Sequence, residues 1–200
     1  MKITDVEAII VRQPDGITFI GDGTQDTVIV LVHTNAGITG AAEVDSAPYV
    51  VKAIIDMPAS HSACQGLREL VVGEDPFDVE KIWNKMYTYA YYHGRAAAVI
   101  HAMSGIDIAI WDILGKAQDK PIWQLLGGKY RSKVRAYAST LMPYTPEEAY
   151  QETKKWVDAG YTAIKLGWGG FEQDENTQVE LVRAAREAAG EDVDLLFDIG

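Results

Sequence analysis

Cysteine is almost absent from this chain, and that scarcity excludes the small folds that depend on disulfides. The 200 residues contain one cysteine, Cys64, so no disulfide can form within the chain. This usage is typical of a reducing compartment. Residues 1–13 carry Asp5 and Glu7 among the apolar side chains, unlike a secretory signal or a transit peptide. We therefore expect a cytoplasmic protein.

A surplus of positive charge is also missing. The chain has 18 Lys and Arg against 29 Asp and Glu, which gives a formal net charge of −11. Because the acidic residues are scattered along the chain, we expect neither nucleic acid nor an anionic membrane surface as a partner. No uninterrupted apolar run approaches the length of a membrane span, so none is expected. The 4 histidines show no metal-ligand spacing.

The N-terminal half has the pattern of a small sheet followed by helices. Three segments have the composition of strands, with a tight turn at 35–37, and they predict an antiparallel meander: residues 2–12, 27–34 and 38–44. Residues 96–117 are apolar on nearly every helical face, which predicts a deeply buried helix.

The C-terminal part alternates strands and helices. The predicted strands are residues 134–139, 162–168 and 192–200. Thr145 has the position of a helix N-cap, with Pro146 at the first helical position and Glu148 three residues after the cap. Short connections of this kind indicate parallel βαβ units, in either a doubly wound sheet or a barrel. The glycines at 167–170 match no nucleotide-binding signature, which disfavours a nucleotide site.

Two charged residues in these strands have the surroundings of a functional site. Lys165 lies among apolar residues of a strand, where an ammonium needs a carboxylate or a metal-site partner. A lysine held in this way serves either acid–base chemistry or stability alone. Asp198 ends an apolar strand, and in β/α barrels that end of the strands carries the catalytic face. Its carboxylate is either a ligand for a hard cation such as Mg²⁺ or an exposed loop or capping residue.

The segment from Ala102 to Gly128 resembles the signature of the mandelate racemase/muconate lactonizing enzyme family, within the enolase superfamily. The match is long and without gaps, and the resemblance extends over essentially the whole chain. The matching positions are Ala102, Ser104, Gly105, Asp107, Ala109, Asp112, Gly115, Lys116, Pro121, Leu125, Leu126 and Gly127.

The resemblance implies an α/β fold in which an α+β cap domain, residues 1–128, precedes a (β/α)₇β barrel. Residues 129–200 would form the first three βα units of that barrel. A complete barrel takes roughly 250 residues, so we expect these residues to be part of a chain about twice as long. The loops at Phe19–Asp22 and Glu43–Pro48 match the two cap loops that close over the site in the family.

The resemblance also implies a chemistry, Mg²⁺-assisted removal of the proton next to a substrate carboxylate, through an enediolate. Asp198 matches the first metal ligand of the family, although Gly200 stands where the family often has Asn. Lys165 matches the first lysine of a Lys-x-Lys pattern, and Gly167 replaces the second, which usually serves as a base. The base would then be a histidine from a later strand or, as second choice, Lys165.

Other residues are candidates for binding a small carboxylate substrate such as a sugar acid. They are Tyr137, Ser139, Asp45, His93 and Arg95. Tyr137 is equally suited to packing under the cap. Asp107 and Asp112 lie five apart on a helix and share no face, so we expect a structural role for them.

Three functions remain open at this point. The leading hypothesis is a Mg²⁺-dependent acid-sugar dehydratase that forms a homo-oligomer. The second is a racemase, epimerase or lactone cycloisomerase on the same scaffold, since the intermediate is shared. The third is a non-catalytic protein that keeps the fold for assembly.

Overall fold

A computed structural model describes residues 1–14 and 26–199. The predicted cap loop at Phe19–Asp22 and the departure at Gly200 lie outside the described residues. The chain divides into two compact units, Met1–Lys129 and Tyr130–Gly200, each with its own hydrophobic core.

The first unit contains an antiparallel sheet of three strands in the order of the sequence. These strands are β1 (Ile3–Arg12), β2 (Asp26–Thr34) and β3 (Thr39–Val44). Alternate residues of β2 are buried, which places them on one face of the sheet. The predicted meander is confirmed.

Five α-helices follow the sheet in the described part of the first unit. They are α1 (Pro48–Asp56), α2 (Leu67–Val71), α3 (Val79–Tyr89), α4 (Ala98–Gln118) and α5 (Ile122–Leu125). Helix α4 packs against β2 and β3, and its side chains Met103, Ile106, Ile110 and Ile113 are fully buried. The prediction of a deeply buried helix is confirmed.

The length and composition of α4 would suffice for a membrane span, whereas the sequence was expected to contain no such segment. More than half of its apolar stretch is buried inside the first unit. Packing in the core therefore accounts for the apolar character of this helix.

Two glycines allow α4 to approach the sheet closely. A Cβ atom on Gly40 of β3 would lie 1.9 Å from the carbonyl oxygen of Ala109, and one on Gly105 would lie 2.5 Å from Val44 Cγ2. Both distances are far shorter than an ordinary contact. Any larger residue at either position would force the helix and the sheet apart.

A polar contact also joins α4 to β3. The Asp112 carboxylate accepts a hydrogen bond from the backbone N–H of Ala41 at 2.9 Å. The Lys116 ammonium donates to the same carboxylate at 2.6 Å and to the Thr39 carbonyl at 2.7 Å. We call this arrangement the Asp112–Lys116 clamp.

The second unit alternates strands and helices. Its elements are β4 (Ala138–Leu141), α6 (Pro146–Asp158), β5 (Ala163–Gly167), α7 (Glu175–Ala189) and β6 (Asp194–Asp198). The strands are parallel in the order β4-β5-β6, which confirms the predicted βαβ units. Side chains from one face of the sheet form a core with those of both helices: Ala138, Ile164 and Leu166 with Ala149, Leu181 and Ala185.

The first strand of this sheet is shorter and later than the prediction of residues 134–139. Pairing with β5 begins at Ala138, so Tyr137 precedes the strand. Arg135 contacts the start of the neighbouring strands through its guanidinium, which donates to Thr162 Oγ1 at 2.8 Å and to Asp194 Oδ2 at 2.6 Å. Arg135 is thus connected to the neighbouring strands by its side chain, ahead of the first paired residue of β4.

Candidate active site

Lys165 and Asp198 come together at the carboxyl ends of adjacent strands. In the parallel register of β5 and β6, Lys165 is paired with Leu196, and Gly167 with Asp198. Residues two apart on a strand point to the same face, so the two charged side chains lie on one face of the sheet. The Lys165 Nζ atom is 2.8 Å from Asp198 Oδ2. The predicted carboxylate partner of Lys165 is therefore Asp198.

This face is the one turned away from α6 and α7. The β5 residues Ile164 and Leu166 point into the core beneath those helices, and Lys165 alternates with them. Ser139 pairs with Lys165 in register and so shares its face. Tyr137 lies just before β4, and its side chain is about half exposed. Four of the predicted site residues therefore belong to one region of the second unit.

The ion pair determines the charge of the lysine. The hydrogen bond to Asp198 raises the pKa of Lys165, and the attraction of the Asp198 charge adds to this effect, while partial burial opposes it. Lys165 is thus held as an ammonium, and it is suited to attracting an anionic group.

Gly167 lies beside the ion pair, in a close approach to Asp198 that the sequence did not reveal. A Cβ atom at this position would lie 2.8 Å from Asp198 Cβ and 3.1 Å from the Asp198 carbonyl oxygen. From the sequence, Gly167 was notable only as a missing lysine. The steric relation could not be found without the register of β5 and β6.

Trp168 follows directly and has an unusual backbone conformation. Its φ angle is 55°, in a region that side chains other than glycine seldom adopt. The backbone N–H of Trp168 donates to the Asp198 carbonyl at 3.0 Å, and the indole is about half exposed. Strain of this kind is often found where a fold holds a functional group in place.

Asp198 is suited to a hard cation, as a single ligand. Carboxylate oxygens are the donors that Mg²⁺ prefers, and this ion is often held by one or two carboxylates while it keeps several waters. Among residues 1–14 and 26–199, no group of three or more His, Cys, Asp or Glu is arranged to hold a metal. The described residues therefore fit a magnesium site to which they contribute one carboxylate.

The predicted substrate-binding residues of the first unit have different surroundings. Asp45 is exposed and follows the end of β3 directly. His93 follows a short 3₁₀ turn, and its Nε2 lies 3.0 Å from the Gln65 carbonyl oxygen. A role of either residue in substrate binding stays a prediction.

Arg95 closes the last turn of α3. Its guanidinium donates to the Tyr87 carbonyl at 3.0 Å and to the Thr88 carbonyl at 3.1 Å. It also lies over the Tyr87 ring, 4.9 Å from the centroid. These contacts satisfy carbonyl groups that a helix end leaves without partners. The proposed contact of Arg95 with substrate stays a prediction.

The two aspartates of α4 belong to the first unit. Asp112 belongs to the Asp112–Lys116 clamp, which fits the structural role expected for it. Asp107 is half-buried, and burial raises the pKa of its carboxyl group, with a smaller contribution from the charge of Glu80.

Comparison with known families agrees with this architecture. Residues 2–127 match the model of the mandelate racemase/muconate lactonizing enzyme N-terminal domain, and residues 148–200 match that of the enolase C-terminal domain-like region. These two matches, in this order along the chain, identify a member of the enolase superfamily. The chain belongs to the mandelate racemase/muconate lactonizing enzyme family. Its fold is thus an N-terminal cap domain followed by the first strands of the family's barrel, as the sequence predicted.

Curated relatives are named as sugar-acid dehydratases. The chain is 39% identical over 140 residues to arabinonate dehydratase of Saccharolobus solfataricus, in an alignment that covers 66% of this chain and 35% of that protein. It is 30% identical to D-xylonate dehydratase of Haloferax volcanii, over 98% of this chain and 47% of that protein. The chain therefore spans between about a third and a half of the length of these relatives.

Solved structures share the fold. The 3,6-anhydro-D-galactonate cycloisomerase from Zobellia galactanivorans has a TM-score of 0.81 and 27% identity, over 98% of this chain and 50% of that chain. A mandelate racemase/muconate lactonizing protein from Paracoccus denitrificans, complexed with magnesium, has a TM-score of 0.79 and 23% identity, over 98% of this chain and 51% of that one. The latter likeness concerns the fold alone.

Proposed function

We propose that the protein containing this chain is a Mg²⁺-dependent sugar-acid dehydratase. The observation that carries the proposal is the pairing of Lys165 with Asp198, at 2.8 Å, on the face of the barrel sheet turned away from the helices. The names of the curated relatives support the reaction and the substrate class. The substrate is an aldonate or aldarate, a small carboxylate with a hydroxyl group on the carbon next to its α-carbon.

The reaction removes the elements of water from two neighbouring carbons. The C2–H bond breaks and its proton passes to a base, while the C3–O bond breaks and the hydroxyl group leaves as water after it gains a proton. The resulting enol takes up a proton at C3, loses the proton of its C2 hydroxyl group, and becomes a 2-keto-3-deoxy acid. The first step is difficult because the α-proton of a carboxylate is a very weak acid, so the developing negative charge must be stabilised.

The residues of this chain would stabilise that negative charge. Asp198 is the carboxylate that would bind Mg²⁺, which supplies a positive charge next to the substrate carboxylate when it is bound. The Lys165 ammonium provides a second fixed positive charge on the same face. Ser139 pairs with Lys165 in register, and Tyr137 precedes the same strand; their hydroxyl groups are suited to hydrogen bonds with the substrate. Because Gly167 replaces the second lysine, β5 offers no further lysine, and the base would come from another strand.

The proposal is tested on the full-length protein with a panel of aldonates and aldarates. The 2-keto-3-deoxy product forms a semicarbazone, which measures turnover directly. We expect turnover of at least one sugar acid, and we expect a chelator to abolish it and added Mg²⁺ to restore it. If no acid of the panel is dehydrated with Mg²⁺ present, the dehydratase proposal is wrong.

Substitutions of Lys165 and Asp198 test the roles proposed for these two residues. Lys165→Met removes a fixed charge and is expected to lower kcat/KM by roughly 10²–10³-fold, the usual cost of losing one such group. Asp198→Asn is expected to lower kcat/KM and also to weaken Mg²⁺ binding. Lys154→Met is the matched control, because Lys154 lies on α6 and pairs with Asp158 of the same helix. Equal activity of the Lys165→Met and Lys154→Met proteins would contradict the role given to Lys165.

A racemase, epimerase or cycloisomerase is the second candidate. The structural likeness to a cycloisomerase favours it, since removal of the α-proton starts that reaction as well. An enzyme of this kind would exchange the α-hydrogen of a sugar acid for deuterium in D₂O and produce no semicarbazone from the dehydration panel. Deuterium exchange and semicarbazone formation, measured together, distinguish a dehydratase from a racemase, epimerase or cycloisomerase.

Two further features belong to the proposal. We expect a cytoplasmic location, which fits the metabolic relatives, and a homo-oligomer, which analytical ultracentrifugation of the full-length protein would detect. A monomer at micromolar concentration would contradict the second expectation.

A further inference from the structure

Trp168 has a backbone conformation that is unfavourable for any residue with a side chain. Its φ and ψ angles are 55° and −150°. These angles lie outside the regions that most residues populate, whereas glycine adopts such angles freely. The next residue, with a φ of 52°, is a glycine, Gly169. Of two successive residues with positive φ, one therefore has no side chain and the other has the largest of the twenty.

Hydrogen bonds to the ends of both neighbouring strands impose this conformation. The Trp168 N–H donates to the carbonyl of Asp198, the last residue of β6, at 3.0 Å. The Gly170 N–H donates to the carbonyl of Met142, which follows β4, at 2.9 Å. A Cβ atom on Gly169 would lie 2.4 Å from that same carbonyl oxygen, so the turn after β5 is closely packed. The backbone alone thus holds Trp168 in place.

The indole of Trp168 lies outside the hydrophobic cores. Within the part of the chain that the structure describes, neither core includes Trp168, whereas the core of the second unit includes Trp156 and Phe171. The Phe171 ring lies 5.7 Å from that of Phe197 in this core. A strained residue that does not fill the core is a candidate for a functional contact.

Trp168 also adjoins the candidate active site. It directly follows β5, the strand that carries Lys165, and the segments after the strands of a β/α barrel form the catalytic face. Gly167 pairs with Asp198 in register, so Trp168 lies one residue beyond the ion pair in the direction of the strand. The two charged residues would hold the carboxylate end of a sugar acid. The rest of its carbon chain would then extend towards the turn that contains Trp168.

We propose that Trp168 is a substrate-binding residue, whose indole packs against the hydroxylated carbon chain of the sugar acid beyond C3. The proposal rests on the proposed function and deepens it, since it assigns a contact that selects among sugar acids. The indole offers an apolar surface to the C–H groups of the chain, and its Nε1–H can donate to a hydroxyl group. Sites for small ligands are commonly lined by aromatic side chains of this kind.

The position of this contact determines which kinetic constant it affects. The carbon chain beyond C3 does not change during the reaction, so the indole binds the substrate and the transition state alike. Loss of such uniform binding raises KM and leaves kcat unchanged. Displacement of Asp198 through the Trp168 N–H would instead lower kcat. The ratio of the two effects therefore distinguishes substrate binding from a structural role.

Steady-state kinetics of the full-length protein with its best sugar acid test the proposal. We expect Trp168→Ala to raise KM by roughly tenfold or more, the usual effect of losing an apolar contact in a pocket. Trp168→Tyr keeps an aromatic face and should restore most of the affinity. Trp156→Ala is the matched control, because Trp156 packs in the core: its stability should fall and its KM should stay unchanged. A KM of Trp168→Ala within twofold of the unsubstituted protein, or a fall in kcat alone, would overturn the proposal.

A second variant, Trp168→Gly, separates the indole from the backbone conformation. Glycine relieves the strain at a positive φ, so Trp168→Gly should unfold at a higher urea concentration than Trp168→Ala. Both variants lack the indole, so both should have the same raised KM. If Trp168→Ala fails to fold, Trp168→Gly supplies the kinetic comparison. A normal KM in Trp168→Gly would show that the indole is irrelevant and would overturn the proposal.

Isothermal titration calorimetry distinguishes failure of this proposal from failure of the proposed function. If no acid of the panel is dehydrated, the dehydratase proposal is wrong, and the affinities of the panel acids for the unsubstituted protein and for Trp168→Ala decide the role of Trp168. Weaker binding of an acid by Trp168→Ala would support the contact. Equal affinity in the two proteins, or no binding of any acid by the unsubstituted protein, would overturn it.

Discussion

The charge of one residue, Glu74, stabilises the folded state of the first unit. Its carboxylate accepts hydrogen bonds from Lys81 Nζ at 2.6 Å and from Lys85 Nζ at 2.7 Å. These bonds, that from Lys81 foremost, lower the pKa of Glu74 from 4.5 to about 2. Folding therefore favours the ionised carboxylate, and protonation of Glu74 must weaken the folded state.

The direction of the pH dependence follows from this lowered pKa. The contribution of Glu74 is complete above pH 4.5, its value in the unfolded chain, and it is lost as the pH falls towards about 2. We expect Glu74→Gln to lower the free energy of unfolding by about 1–2 kcal/mol at pH 7, after allowance for screening by solvent. The difference between the two proteins should disappear near pH 2.

Urea unfolding at several pH values measures this effect. Glu69→Gln, which changes an exposed carboxylate of α2, is the control and should leave the stability unchanged at both ends of the range. A difference between Glu74→Gln and the unsubstituted protein that stays constant from pH 7 to pH 2 would contradict the assignment.

Individual site residues were predictable to different degrees. A lysine among apolar neighbours requires a partner, and an aspartate ends an adjacent strand, so Lys165 and Asp198 could be selected from the sequence. Their contact depends on the register of β5 and β6. The close approach of Gly167 to Asp198 joins residues 31 positions apart, and no local pattern contains that information.

At the scale of elements, α6 begins with a complete capping box. The Thr145 side chain accepts from the Glu148 N–H, and the Glu148 carboxylate accepts from the Thr145 N–H. We expect Thr145→Ala to lower the free energy of unfolding by about 1 kcal/mol, because a helix N-terminus loses an acceptor. Thr145→Ser keeps the hydroxyl group and should retain most of the stability in the same urea titration. Equal losses in the two variants would show that the hydroxyl group is irrelevant.

The close packing of α4 on β3 is a second feature at the scale of elements. Gly40→Ala places a methyl group 1.9 Å from the Ala109 carbonyl oxygen. We expect a loss of about 3 kcal/mol or more, since overpacking of this degree must move the helix or the sheet. Ala41→Ser, at an exposed neighbouring position of β3, is the control and should be nearly neutral. A neutral Gly40→Ala variant in thermal unfolding would mean that the helix can retreat without cost.

Most elements could be derived from the sequence because their patterns are local. The alternation in β2, the apolar faces of α4 and the cap at Thr145 each reflect neighbouring residues alone. The predicted start of β4 was wrong because it does not follow from a local pattern. Arg135 bonds through its side chain to Thr162 and Asp194, residues far along the chain, and the backbone pairs only from Ala138 onward.

At the scale of the whole molecule, the two units have separate cores, and their stabilities are open to separate measurement. The first unit has a large buried cluster that includes Met103, Ile106 and Ile110. We expect a fragment of residues 1–129 to fold alone and to unfold cooperatively in circular dichroism. Ile110→Asp should abolish this transition, because it buries a charge without a partner. A gradual, non-cooperative transition of the unsubstituted fragment would contradict the expectation.

The second unit has an exposed apolar face in addition to its core. Leu141 and Leu196 are each at least two-fifths exposed, on the same face as Lys165. We expect a fragment of residues 130–200 to bind 8-anilinonaphthalene-1-sulfonate more strongly than the fragment of residues 1–129. Equal dye fluorescence from the two fragments at the same concentration would show that this face is not accessible.

The Asp112–Lys116 clamp has a consequence for how copies of the protein behave in a crowded solution. Among the described residues, β3 is an outer strand of its sheet, and the Thr39 carbonyl and Ala41 amide point away from β2. Unpaired backbone groups of this kind can recruit a strand from a second molecule, which is a route to aggregation. Because α4 supplies a carboxylate and an ammonium to these two groups, the helix that fills the core also protects the sheet against intermolecular strand addition.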